Sequence, residues 1–319
     1  MEISVFKTDY LTEMAELFVQ NFKCLRSGIP LVPDVLENTG RVTQLLSRWL
    51  ASCPGLVALD HGKVVGYLGW YRVDGFRGTD RKAAYCPEWG HAAAATAKAE
   101  IYRALYHTAA EQWFAAGCQT HALTLLAQDT AAEKVWFWNG FGLTVVDAIR
   151  PMQPPEISAA SGLQFRKATL EDVPALVELE AEHAQHYQQP PVLMMAYAPK
   201  DAATLTEFMN EPANSLWLAL AGKKAVGYMR FEASNETAIL DTSDNITITG
   251  AFIRPECRGR KAGAALLSAA IQDYADQGYQ RCSVNFESFN PEAAGFWMRY
   301  FEPVCLSVIR VPEKSPLSA

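Results

Sequence analysis

The sequence predicts an α+β protein built from two tandem domains, each a mixed, mostly antiparallel sheet flanked by helices. Three observations carry this. First, Val65-Gly66-Tyr67 returns as Val226-Gly227-Tyr228, and Gly117, Ala132 and Trp136 return as Gly278, Ala293 and Trp297, each 161 positions further on. A shift held over so long a stretch marks a duplication. Second, each copy carries a hairpin signal, two apolar runs around Asp60-His61-Gly62 and around Ala221-Gly222-Lys223. Third, 319 residues, half of them hydrophobic and a fifth charged, suffice for two ordinary cores.

In chain order, residues 2–8 alternate as a strand does, and Met14, Leu17 and Phe18 fall at helical spacing within Tyr10 to Phe22. Pro30 and Pro33 mark a loop, Thr39 to Ser52 reads as a helix, and the first hairpin follows. Pro87 argues against a regular central strand around Glu88, Trp89 and His91, and the alanines from Ala92 onward favour an uninterrupted helix. Pro151 to Gly162 has a linker composition, which divides the chain into 1–152, a linker at 153–162, and 163–319. The second copy opens at Arg166-Lys167, matching Phe6-Lys7 to within one residue. Its first helix carries His183, His186 and Tyr187 at helical spacing, which suits an exposed face.

The most informative stretch lies in this copy. Ile246 to Ile253 reads as a strand, Pro255 stops it, and Ala264 begins a helix that Gly278 closes. Between them stands Arg258-Gly259-Arg260-Lys261-Ala262-Gly263. Strand, basic glycine loop and helix N-terminus together make an anion site, because unpaired amides and the helix dipole point at the same place. The pattern excludes a nucleoside-triphosphate loop, which needs Gly-Lys-Ser/Thr, and a dinucleotide fingerprint, which needs Gly-x-Gly-x-x-Gly. It reads as a pyrophosphate cradle.

The segment from Gly250 to Leu267, with Ile253-x-Pro255-x-x-Arg258-Gly259-x-x-x-Gly263, resembles the acetyl-CoA-binding motif of the GNAT N-acetyltransferases. Asn290-x-x-Ala293-x-x-Phe296-Trp297 resembles that family's second signature, and the tandem layout resembles its two-domain members. The family's loop runs Arg/Gln-x-x-Gly-x-Gly/Ala, and Lys261 stands at the first of those glycines. The resemblance implies an acetyl-CoA-dependent N-acetyltransferase acting on a small amine. It places the co-substrate on Ala251, Phe252, Ile253, Arg258, Gly259, Arg260, Lys261, Ala262, Gly263, Ala264, Asn290 and Trp297. Candidate bases are Glu287 and Asp244, with deprotonation through bound water as the competitor. Trp297 replaces the family's tyrosine acid, so Tyr300, one turn on, is the candidate acid. Shifting the cradle back by 161 lands on Ala97 to Tyr102, where no arginine or glycine remains, so coenzyme A is expected in the C-terminal domain alone. A non-catalytic module that senses CoA or acyl-CoA is the alternative.

The net charge of −7 disfavours nucleic acid as a partner and suits a cationic acceptor. No apolar run is long enough to cross a membrane, and Met1-Glu2-Ile3-Ser4 does not open a signal peptide. Seven cysteines without a CxxC pair read as reduced thiols, and no metal is expected. Together these point to the cytoplasm. The sequence leaves the oligomeric state and the acceptor open.

Overall fold

The computed structural model describes residues 1–155, 162–233 and 237–313. The first copy runs β1 (Glu2–Val5), α1 (Leu11–Gly28), α2 (Thr39–Leu50), β2 (Gly55–Asp60), β3 (Lys63–Gly69), β4 (Tyr71–Val73), β5 (Ala83–Cys86), β6 (His91–Ala93), α3 (Lys98–Ala115), β7 (Thr120–Leu126), α4 (Thr130–Trp138) and β8 (Gly142–Pro151). The second runs β9 (Leu163–Lys167), α5 (Val173–Gln188), α6 (Ala202–Asn210), β10 (Ser215–Ala221), β11 (Lys224–Glu232), β12 (Asn245–Ile253), α7 (Ala262–Asp276), β13 (Arg281–Glu287), α8 (Pro291–Trp297) and β14 (Glu302–Arg310). Helices begin where the sequence supplies side-chain caps. Asn38 accepts the Arg41 amide at α2, Asp201 the Thr204 amide at α6, and Asp129 and Asn290, 161 positions apart, cap α4 and α8.

The chain forms two compact units. Unit 1 is Met1–Val146 with the residues from Pro303 onward, and unit 2 is Asp147–Glu302. The linear division at 152 and 163 therefore differs from the compact units at two strands. The end of β8 belongs to unit 2, and β14 belongs to unit 1, where Cys305 to Arg310 run antiparallel to Leu126 to His121 of β7. Pairing across a sheet is set by hydrogen-bond register and not by sequence distance, so composition could not reveal it. Most of the expected linker, 156–161, lies outside the described residues.

Unit 1 holds a sheet in the order β1-β2-β3-β6 and a second set in which β5 runs parallel to β7. Unit 2 holds β9-β10-β11-β12-β13 in that order, antiparallel except for β12 beside β13. The repeated glycines have a physical cause. A Cβ on Gly66 would stand 2.3 Å from Ile101, and one on Gly227 2.3 Å from Ile253. The strands also bulge at equivalent places, between Ala58 and Leu59 and between Ala219 and Leu220.

The cores follow. Trp70, Trp113, Trp136 and Tyr102 are fully covered in unit 1. In unit 2, α5 and α6 close one face through Leu176, Leu179, Leu205, Leu218 and Tyr228. Leu266, Leu267 and Ile271 of α7 are also fully buried, and each such side chain contributes about 2 kcal/mol.

One expectation needs correction. The helix anticipated from Ala92 begins only at Lys98, because His91 to Ala93 pair with Leu68 to Gly66 and Ala97 turns left-handed at φ 63°. Strand pairing outweighs the helix preference of alanine here. Pro87 does interrupt the strand, between β5 and β6.

Candidate active site

In unit 2 the decisive feature is a parting of strands. β12 runs parallel to β13 only from Asn245 to Ile248, opposite Arg281 to Val284, although β12 continues to Ile253 and β13 to Glu287. Its other edge stays paired with β11, where a bulge falls at Thr249, since Arg230 faces Gly250 while Phe231 faces Ile248. A bulge adds one residue to one strand and bends it. Amides alternate in direction along a strand. The Arg254 amide bonds Val226 of β11 at 2.9 Å, so those of Ala251 and Ile253 turn away from β11 into the gap.

The gap leads to α7. Its first helical bond runs from Ala265 to the Lys261 carbonyl at 2.9 Å, and no side chain caps it. The amides of Ala262, Gly263 and Ala264 therefore lack acceptors among the described residues. The loop turns at Gly259 (φ 72°) and at Lys261 (φ 62°), the latter a left-handed backbone that favours glycine and here carries a lysine. Gly263 packs closely, since a Cβ there would stand 3.3 Å from Phe296 of α8.

The three cations are not equivalent. Arg260 and Lys261 are exposed. Arg258 is turned back on the strand instead: Nε donates to the Ile253 carbonyl at 2.8 Å, Nη1 pairs with Glu292, and the guanidinium lies 5.5 Å from the Phe252 ring centre. Among the described residues Arg260 makes no ion pair. Asn290 is buried, caps α8 through the Ala293 amide at 3.3 Å and approaches His186 Nε2 at 3.4 Å.

The candidate acid–base residues scatter. Asp244 lies at the closed end of the strand pair, five residues or roughly 16 Å before Thr249, with its carboxylate paired to Arg281. It is too far from the parting to serve as base, which corrects that expectation. Glu287 ends β13 on the open side and is half-buried. Trp297 is packed between Phe296 and Phe301, with ring centres at 4.7 and 5.4 Å. Tyr300 follows the end of α8, its ring 5.2 Å from Phe296.

The sequence missed a polar cluster on the α5 side of the gap. Glu180 is fully buried. It accepts from Tyr228 Oη at 2.6 Å and lies 3.4 Å from Arg230 Nη1. Arg230 also donates to the Thr249 carbonyl at 2.6 Å and to Thr249 Oγ1 at 2.9 Å, which pins the bulge. His183 is bonded to Tyr228 through Nδ1 at 2.8 Å, and its ring stacks on Phe252 at 5.4 Å. Burial, aided by the charges of His186, Arg230 and Arg258, lowers the His183 pKa to about 3. Helical spacing showed His183 on one face with His186, but only the register of Tyr228 beside Phe252 reveals which face.

In unit 1, Glu88 and His91 are buried. Trp89 stacks edge-on against Trp49 at 4.9 Å, and His91 bonds Tyr102 Oη and the Thr124 carbonyl, both at 2.9 Å. Among the described residues no helix is long and apolar enough to cross a membrane, and no group of side chains suits a metal ion. All seven cysteines are free.

A mixed sheet thus opens beside a helix N-terminus, with the preceding strand bulged. Residues 178–301 match the model of the acetyltransferase (GNAT) family. A GCN5-related N-acetyltransferase from Sphaerobacter thermophilus superposes with a TM-score of 0.59, covering 98% of this chain and 97% of its own at 13% identity. A glucosamine N-acetyltransferase region of a fungal multi-domain β-N-acetylglucosaminidase gives a TM-score of 0.52 at 11% identity, over 97% of this chain and 38% of its own. Both similarities concern the fold. No curated protein matches the sequence.

Proposed function

We propose that unit 2 binds acetyl-CoA and transfers its acetyl group to a small cationic amine in the cytoplasm. The observation that carries this reading is the open edge of β12, whose Ala251 and Ile253 amides lead to three acceptor-less amides at the start of α7. The helix start, Gly259, Arg260 and Lys261 suit a diphosphate, and the strand edge suits an amide-bearing arm that pairs as a strand would. A strand amide also suits polarisation of the thioester carbonyl, since it is fixed before reaction. The leaving thiol, with a pKa of about 8.5, needs little protonic help, so the buried Trp297 at the family's tyrosine position is tolerable.

The acceptor class follows from charge. Strand alternation puts Arg230, Glu232, Thr247 and Thr249 on the α5 side of the sheet, and Ser283, which bonds Thr247 at 3.0 Å, brings Asn285 and Glu287 to that side as well. Arg230 pairs with both Glu180 and Glu232, one cation against two carboxylates, which leaves this side net negative. A cationic amine is favoured there.

Calorimetry with CoA, followed by thiol release from acetyl-CoA across a panel of primary amines, tests the reading. Binding with release in the presence of an amine supports it. Tight binding without release for any amine favours a CoA sensor, and absence of binding defeats both.

A further inference from the structure

The acetyl-transfer reading leaves one chemical need unmet, since a cationic amine must lose a proton before its nitrogen can attack. Asp244 lies at the closed end of the strands and Glu292 of α8 is paired with Arg258, so Glu287 at the end of β13 and the buried cluster on α5 and β11 are the groups that could answer it. The cluster offers a hydrogen-bonded path that leads away from the acceptor. Tyr228 Oη donates to Glu180 at 2.6 Å, so its single proton is committed. The 2.8 Å contact with His183 Nδ1 must then be a bond in which the imidazole donates. That fixes the tautomer: Nδ1 carries the hydrogen and Nε2 keeps its lone pair. Nε2 has no hydrogen-bond partner among the described residues, although His183 is only 4% exposed. Nε2 is not sealed in the core, so a substrate can reach it. Its ring lies on Phe252, between the Ala251 and Ile253 amides that turn into the gap.

We infer that His183 is the base that deprotonates the acceptor amine, and that Tyr228 and Glu180 form the wire carrying the proton away. The transfer balances. The ammonium gives a proton to Nε2, Nδ1–H passes to Tyr228 Oη, and the tyrosine proton passes to Glu180. Ammonium and carboxylate become amine and carboxylic acid, with the imidazole neutral before and after. The freed amine forms its bond to the acetyl carbon as the carbon–sulfur bond breaks, the extra proton on the nitrogen passes to the departing thiolate to give the amide and the free thiol, and Glu180 later returns its proton to solvent by the same route.

This explains why a histidine held neutral by its surroundings serves as a base: an imidazolium need not persist. The groups facing it are His186 and Tyr187 on α5, Tyr197 in the loop beyond, Arg230 on β11 and Arg258 in the cradle. Two of these are cations, which disfavour an imidazolium at His183. His183 touches substrate; Tyr228 and Glu180 are positioning and relay residues.

The inference rests on the acetyltransferase reading, and the experiment separates the two. Tyr228→Phe removes one oxygen and keeps the ring in the core, and Arg230 still pairs with Glu180. CoA affinity by calorimetry should match the parent. With a primary alkylamine near pH 7, kcat/KM should fall by about a hundredfold, in the range of general-base effects. With hydroxylamine, whose nitrogen is already unprotonated at that pH, the rate should be unchanged. Raising the pH should restore the alkylamine rate in Tyr228→Phe and in His183→Ala alike. Equal losses with both nucleophiles, or a loss that persists at high pH, would reduce the cluster to packing and overturn the relay. A normal alkylamine rate in Tyr228→Phe would overturn it too. Nitrogen-15 spectra of the histidine rings decide even without turnover: Nδ1–H at His183 supports the wire, and Nε2–H removes it. If the parent protein does not bind CoA, the acetyltransferase reading fails first and the relay with it.

Discussion

The strand edges opposite Gly66 and Gly227 are the same place in the two units, occupied by Ala93 in one and Ile253 in the other. Both are followed by a left-handed residue, Ala97 or Lys261, and by a helix whose first bond returns to that residue. In unit 2 the outer carbonyl of Ile253 accepts from Arg258, and cations stand exposed at the helix start. In unit 1 the Ala93 carbonyl accepts from Asn21 of α1 at 3.2 Å. Lys98 then reaches Asn21 Oδ1 at 3.2 Å and pairs with Asp129, the cap of α4, so the equivalent space is filled by the protein's own ion pair. A helix N-terminus alone does not make a ligand site. One lysine and one aspartate at its mouth turn it into an internal clamp.

The largest expected effect concerns histidines buried neutral. Burial lowers the pKa of His91 and of His121 to about 4, both in unit 1, and that of His183 to about 3 in unit 2. The unfolded chain takes up these protons near pH 6.5 and the folded chain does not, so between pH 6.5 and about 4 the unfolded state binds more protons. Stability is thus full above pH 6.5 and falls as the pH drops through that window, by at most about 3 kcal/mol per histidine at 1.36 kcal/mol per pKa unit. Chemical denaturation across the window should show this slope. His91→Gln should flatten it, and an unchanged slope would show that His91 is not held neutral.

Next comes the clamp. Lys98→Met should cost about 3 kcal/mol, because it leaves the half-buried Asp129 without its counter-charge. CoA affinity should not change. A weakened affinity would mean that unit 1 also holds coenzyme, and the contrast between the units would collapse.

The cradle gives the third test. Arg258→Glu with Arg260→Glu should reduce CoA affinity about a hundredfold, the scale of one or two lost charge-assisted hydrogen bonds. Arg258 is tied to Glu292, so reversing it also disturbs α8. Arg260→Ala is the cleaner probe, and a tenfold loss measured by calorimetry at unchanged thermal stability is expected. No loss in either variant would remove the cradle.

Much of this was legible beforehand, for identifiable reasons. The duplication was visible because glycines at close approaches, Gly66 and Gly227, cannot be replaced without a clash, so the pattern survives in both copies. The cradle was visible because loop chemistry is local. What stayed hidden was non-local. Lys98 read as part of a helix, and its partners Asn21 and Asp129 are 77 and 31 residues away. Glu180 and Tyr228 are 48 residues apart, and only strand register joins them. Asp244 was attractive as a carboxylate near the strand, but sequence proximity says nothing about which end of the strand opens.

The smallest effect is the most specific. Ala97 and Lys261 sit at φ 63° and 62°, a conformation that costs a residue with a Cβ about 1 kcal/mol and glycine almost nothing. If the two helix starts share one backbone solution, Ala97→Gly and Lys261→Gly should each stabilise the protein by about 1 kcal/mol, less the entropy that glycine adds to the unfolded chain. Denaturant midpoints will show whether the two gains are alike. The function should not follow the stability. Ala97→Gly should leave CoA affinity alone, whereas Lys261→Gly removes an exposed cation from the cradle and should weaken it several-fold. Equal binding in the two variants would mean that Lys261 contributes only its backbone, and that the cradle grips through Arg260 and the amides of α7.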